Sequence, residues 1–256
     1  MAALLKLQNL TKTFGGLVAV SDLDMSIEPG EIVGLIGPNG AGKTTVYNMI
    51  SGVFRPTRGK VIFKDEDISR LSPHIVVKKG LARTFQQTTL FAHLPVLQNI
   101  MLGFHIKSKA SYIGALFNTS ATRKREKKLL DEAREIANFI GLGARQYELA
   151  RNLSHGPQRA LEIAIALAAE PELLLLDEPT TGMNVEETSE MMRRIKQIRD
   201  RGITILLVEH DMKVVMGICD RICVLCFGKK IAEGSPKEIQ SNEEVIKAYL
   251  GDGSCY

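Results

Sequence analysis

EIVGLIGPNGAGKTTVYNMI (residues 31–50) decides the fold. Its opening, EIVGLIG, is a short apolar run that stops at glycine, which reads as a buried strand. Thr44 to Ile50 then continue as a helix. Between them GPNGAGKT (37–44) fits G-x-x-x-x-G-K-[ST], and the strand before and helix after give that pattern its physical meaning. Gly37, Gly40 and Gly42 let the backbone turn sharply, so that the loop Gly37, Pro38, Asn39, Gly40, Ala41, Gly42 wraps phosphate oxygens. The helix N-terminus adds its partial positive charge. Lys43 is expected on the β/γ-phosphates, Thr44 on Mg²⁺ and Thr45 on the α-phosphate.

Outward from this loop, short apolar strands alternate with helical patterns, which argues for an α/β fold with a largely parallel sheet. KVIFKDEDI (60–68), LLLLD (173–177), ITILLVEH (203–210) and RICVLCFG (221–228) are further strands, and Val185 to Arg199 has helical periodicity. Leu4–Leu10 and Ser21–Ile27 suit a separate antiparallel sheet. From about Leu94 to Ala169 no strand is convincing. Lys124 to Ile140 is a charged amphipathic helix, and Arg159 to Ala169 a nearly all-apolar one. A helical subdomain is therefore expected inside the α/β core, with a loop-rich excursion at 105–122. There is one phosphate-binding cassette, with no internal repeat.

Asp177 and Glu178 end the LLLLDE run (173–178). The carboxyl end of a buried parallel strand is where α/β proteins place ligands. Asp177 there can hold Mg²⁺, and Glu178 can accept a proton from an attacking water. Two acids after a strand could also cap a helix; the phosphate loop upstream favours chemistry. LSHGPQR (153–159) presents Ser154 as a helix cap beside Gly156, with Pro157 in the first turn, and a capped N-terminus can meet an anion. On spacing alone an ordinary cap would look the same. His210, ending a strand, gains a role only from the complete motif set. His74, His93, His105 and His155 gain none.

Composition sets the outer bounds. The 256 residues are 45% hydrophobic and 24% charged, ordinary for a globular chain and against disorder or coiled coil. Aromatics at 5% without Trp, and a net charge of only +4, speak against a nucleic-acid surface. The run Arg123 to Lys128 is basic, but Glu126, Asp131, Glu132 and Glu135 dilute it into a solvated helix face. No stretch approaches the roughly 18 apolar residues of a membrane helix, and MAALLKLQNL lacks a signal-peptide apolar segment, so a cytoplasmic chain is expected. Cys219, Cys223 and Cys226 have a cluster-like C-x3-C-x2-C spacing. Strand alternation puts Cys223 and Cys226 on opposite faces, so they read as small buried hydrophobes without a disulfide framework.

In order, the chain carries GPNGAGKTT, TFQQ (84–87), LSHGPQR, LLLLDEPT, TTGMN (180–184) and LVEHD (207–211). This set resembles the ATP-binding cassette (ABC) transporter nucleotide-binding domain over essentially the whole length. The resemblance implies a P-loop NTPase with a RecA-like parallel core, an N-terminal antiparallel β subdomain and an inserted helical subdomain at about 88–169. One domain would span 1–251, with 252–256 a tail. It implies ATP and Mg²⁺ as ligands and ATP hydrolysis as the activity. Phe14 would stack on adenine. Gln86 would sense Mg²⁺ and the attacking water, His210 would act on the γ-phosphate with Glu178, and Asp177 and Thr44 would hold the metal. Ser154 and Gly156 would contact the γ-phosphate of an opposing subunit. His155, Pro157 and Asn184 depart from the usual pattern.

ARTFQ (82–86), LF (90–91), the excursion, EHDMKVVMGICDRI (209–222) and the tail EGSPKEIQSNEEVIKAYLG (233–251) are similar to the ATPase subunits of branched-chain amino-acid importers. The implied partners are a second ATPase subunit, identical or different, integral membrane permease subunits and, indirectly, a solute-binding protein, with no nucleic acid. The implied place is the cytoplasmic side of the cell membrane, peripheral through the permease. Lipopolysaccharide export, urea or amide import, and a soluble cassette ATPase are the rival readings.

Overall fold

The computed structural model describes residues 3–84, 90–104 and 120–250. The chain runs β1 (Leu5–Phe14), β2 (Leu17–Ile27), β3 (Ile32–Ile36), α1 (Lys43–Ile50), β4 (Arg58–Phe63), β5 (Glu66–Asp67), α2 (Pro73–Lys78) and β6 (Leu81–Arg83). After it come α3 (Val96–Phe104), α4 (Ser120–Phe139), α5 (His155–Ala168), β7 (Leu173–Asp177), α6 (Val185–Asp200), β8 (Thr204–Val208) and α7 (Met212–Ile218). The last elements are β9 (Arg221–Cys226), β10 (Lys229–Gly234), α8 (Pro236–Gln240) and α9 (Glu243–Leu250).

Among the described residues these strands form two sheets. The core sheet has the order β10-β9-β3-β8-β7-β6, parallel throughout except for β10 at one edge. Its central strands are apolar on both faces because both faces are covered. Val33, Leu35, Leu173, Leu175, Leu206, Val208, Cys223 and Leu225 face α1 and the second sheet. Their neighbours Ile36, Leu174, Leu176, Ile205, Leu207, Ile222 and Val224 face the helical side. This is the period-2 alternation of a strand, expressed as two cores instead of a core and a surface.

The second sheet, β2-β1-β4-β5, is antiparallel, as expected for the N-terminal region. The segment 60–68 joins it and not the parallel core. It also breaks at Lys64 and Asp65, whose φ of 53° and 59° make a left-handed turn. Two strands were not foreseen. β6 has only three residues beside a helix, and β10 is polar and half exposed. Neither has enough apolar alternation to stand out from its surroundings.

On the helical side α3, α4 and α5 pack together. The basic run of α4 is exposed over Lys124–Lys128, with Lys128 3.4 Å from Glu132, as a solvated face would be. Most of the expected excursion, 105–119, lies outside the described residues, as does Gln86. Cys219 packs into the helical-side core and Cys223 into the opposite one, so the sheet itself separates them. Burial pushes both thiols up to about 12. Cys226, buried at the end of β9, is disulfide-bonded, which corrects the expectation that it serves only as a small buried hydrophobe.

Candidate functional site

The loop between β3 and α1 takes the shape its glycines permit. Gly42 has φ 100°, and a Cβ there would stand 2.5 Å from the Ala19 carbonyl oxygen, so no other residue fits. The loop opens onto a cavity of about 440 Å³ lined by Phe14, Leu17, Val18, Asn39 to Thr45, Asp177, Glu178 and Phe227. The structure thus brings together in one cleft residues that are more than 130 positions apart. Lys43 Nζ donates to the carbonyls of Gly37 and Pro38, 2.6 and 2.9 Å away. Partial burial lowers its pKa, and the nearby Glu178 and Asp177 carboxylates counter that. Thr44 is exposed at the start of α1, so its hydroxyl is open to the cleft.

Asp177 ends β7, where the sheet delivers it to the cavity floor. Its carboxyl is pushed above the usual range by burial, with Arg83 opposing. Arg83 Nη2 lies 3.7 Å from Asp177 Oδ2, and both side chains are nearly buried. Oδ2 is buried with no hydrogen bond. The charge of Arg83 beside it offsets the cost of burying that oxygen without a hydrogen bond. Asp177 and Thr44 both line the cavity, and a carboxylate and a hydroxyl are hard oxygen donors of the kind that suits Mg²⁺.

Glu178 has φ 47°, an unfavourable backbone for a side chain of its size, of the kind that clusters at functional sites. Its amide donates to the Val208 carbonyl at 2.9 Å, which locks the turn to β8. Thr181 Oγ1 lies 3.3 Å from Glu178 Oε2, and His210 Nδ1 lies 3.6 Å from Oε1. Glu178 remains part-exposed toward the cleft.

Ser154 and Gly156 stand apart: neither lines this cavity, and Ser154 is exposed at the head of α5. The Ser154 hydroxyl makes no capping bond, contrary to the expected cap. His155 Nε2 donates to the Thr181 carbonyl at 2.8 Å, joining this loop to TTGMN. Asn184 caps α6: its side chain accepts from Glu187 N–H at 2.9 Å, and Glu187 Oε2 accepts from Asn184 N–H at 3.1 Å. Phe14 is exposed, with Phe54 packed edge-on at 5.4 Å and Lys12 Nζ 5.0 Å from its ring centre.

Sequence reasoning missed three supports. Glu209, fully buried, accepts from Thr180 N–H at 3.0 Å, from Thr180 Oγ1 at 2.5 Å and from His210 N–H at 3.1 Å. Tyr47 donates its buried hydroxyl to the carbonyls of Leu176 and Leu206. Arg83 donates to Asn48 Oδ1 of α1 and to Oγ of Ser51, the residue that follows that helix, at 2.6 and 3.0 Å. A signal existed for Glu209, an acid inside the apolar run ILLVEH. None existed for Arg83 or Tyr47, whose partners are remote in sequence.

Residues 20–181 match the ABC transporter family, and residues 229–254 match the branched-chain amino acid ATP-binding cassette transporter family. The chain is 42% identical to the high-affinity branched-chain amino acid transport ATP-binding protein LivG of Escherichia coli (strain K12), over 97% of this chain and 98% of that one. It is 34% identical to the lipopolysaccharide export system ATP-binding protein LptB of Haemophilus influenzae, over 98% of each. Its fold matches the ADP conformation of MJ1267, an ATP-binding cassette of an ABC transporter, with a TM-score of 0.86 at 30% identity, over 98% of this chain and all of that one.

Proposed function

The chain belongs to the ABC transporter family, and from that premise we propose that it is the ATP-hydrolysing subunit of an importer of branched-chain amino acids. The observation that carries the reading is the single cleft in which the phosphate loop, Asp177 and Glu178 converge. Identity to LivG at 42% against 34% to LptB, with the C-terminal family match, favours import over lipopolysaccharide export.

In this reading Lys43 leaves the Gly37 and Pro38 carbonyls for the β/γ-phosphates, and the loop from Gly37 to Gly42 and Thr45 hold the rest. Phe14 stacks on the adenine. Asp177 and Thr44 hold Mg²⁺, which when bound screens phosphate charge. Glu178 takes the proton of the attacking water, and His210 orients that water and the γ-phosphate. Gln86, outside the described residues, completes this set. Ser154 and Gly156, which do not line their own cavity, serve the γ-phosphate of a second cassette, so ATP closes two subunits and hydrolysis reopens them. The single cassette spans 1–251, with the helical subdomain at about 88–169.

No helix among the described residues is long and apolar enough to cross a membrane. In this reading the chain works through permease subunits at the cytoplasmic side of the membrane, as the likeness to branched-chain amino acid transport ATP-binding proteins supports, with a solute-binding protein acting indirectly. An apolar groove between β6, α3 and α5, lined by Leu81, Leu90, Phe91 and Leu102, suits a permease helix.

Steady-state ATPase kinetics, with nucleotide binding measured separately, test the site. Glu178→Gln should bind ATP normally and turn over about 10²–10⁴-fold more slowly, the worth of a positioned proton acceptor. Lys43→Ala should lose binding, and the Asp177→Asn defect should partly recover at raised Mg²⁺. Turnover of Glu178→Gln within about threefold of wild type, far short of that contribution, would remove the role given to Glu178.

A further inference from the structure

The hairpin joining β9 to β10 is built from two residues, Phe227 and Gly228, since Cys226 pairs directly with Lys229. Both have positive φ, 44° and 80°. A two-residue hairpin with positive φ at both positions is the type I′ turn, whose first position wants Asn, Asp or Gly. Phe is a poor occupant, because its Cβ is strained in the left-handed region. Nor does packing offset the strain, for Phe227 is 63% exposed.

The turn is fixed in place. Gly228 N–H donates to the Ala41 carbonyl at 3.0 Å, and the Gly228 carbonyl accepts from Ser21 N–H at 2.8 Å. A Cβ on Gly228 would stand 2.7 Å from the Ala19 oxygen. The hairpin tip is thus clamped onto the phosphate loop, and Phe227 projects into the cavity shared by Phe14, Leu17, Val18 and that loop. An exposed, strained, bulky apolar side chain on a rigid mount at the mouth of a cleft is explained by what enters the cleft.

We propose that Phe227 is a further nucleotide-contact residue, an apolar wall against the sugar–base part of the nucleotide beside the loop that holds its phosphates. The proposal rests on the nucleotide reading of the cavity and adds a second aromatic to Phe14. The polar lining from Asn39 to Thr45 meets the phosphates, while Phe14, Leu17, Val18 and Phe227 form an apolar rim suited to the rest of the molecule.

The test uses the full chain, with Mg-ADP and Mg-pyrophosphate as probes in titration calorimetry, and thermal unfolding without ligand. Phe227→Asn, which fits the turn, should weaken ADP binding about three- to tenfold, the scale of one aromatic contact. Pyrophosphate affinity should change less than about twofold on the same scale, since it has no sugar or base. The ligand-free melting temperature should hold or rise. Lys43→Ala should lose both ligands. Unchanged ADP affinity in Phe227→Asn, with Lys43→Ala losing binding, overturns the proposal alone. Equal weakening for ADP and pyrophosphate overturns it too, since Phe227 would then act on the loop. ADP affinity unchanged in both variants removes the nucleotide reading and the proposal with it.

Discussion

Tyr47 is fully buried in α1, directly beneath the phosphate loop, and its one hydroxyl proton is shared by the carbonyls of Leu176 and Leu206. Leu176 immediately precedes Asp177, so this bond ties the helix that starts at Lys43 to the strand end that carries the Asp177 carboxylate. Arg83 adds a second tie from the other side, bonded to α1 and paired with Asp177. Burial holds the Tyr47 hydroxyl well above its usual pKa, so it stays a donor at any physiological pH. Tyr47→Phe keeps the ring and removes the donor. A net loss of about 1 kcal/mol is expected, or roughly 2–4 °C in melting temperature for a chain of this size. Differential scanning calorimetry checks this; an unchanged melting temperature would show that the hydroxyl holds nothing. Glu209 acts likewise, its two oxygens binding the loop after Glu178 to the backbone of His210.

At the scale of elements, α6 starts where its capping box puts it. Asn184 and Glu187 satisfy each other's backbone N–H groups, and this fixes the direction in which TTGMN leaves Glu178. Asn184→Ala should cost about 0.5–2 kcal/mol, whereas Asn184→Asp should cost little because a carboxylate caps equally well. Urea unfolding of the pair checks this, and equal losses in both variants would contradict the capping role. The same box explains how asparagine can stand in TTGMN without disturbing the helix. Local signals of this kind were legible in the sequence: the strand–loop–helix around Lys43, the acidic end of β7, the long helices. β6 and β10 were not, because a strand of three residues or a polar edge strand is specified by its neighbours across the sheet. Arg83 and Tyr47 escaped notice for the same reason, since their partners meet only after folding. The strain at Glu178 and Phe227 is also invisible in composition; only the backbone angles show where a residue sits against its preference.

At the scale of the molecule, the two cores divide the labour. One packs the phosphate loop and α1 onto the parallel sheet, and the other carries α3 to α5 with the groove suited to a permease. The arrangement leaves Ser154 and Gly156 outside their own cavity, so a lone subunit is chemically incomplete in the proposed cycle. In the proposed reading, that cycle moves a solute through membrane-embedded partner subunits. The measurement that meets this claim most directly is uptake of radiolabelled leucine, isoleucine and valine by the source cells, with Glu178→Gln replacing the wild-type chain at equal abundance. High-affinity uptake of these three should be abolished while uptake of lysine continues unchanged. Undiminished uptake of all three branched-chain amino acids in the Glu178→Gln cells would contradict the account.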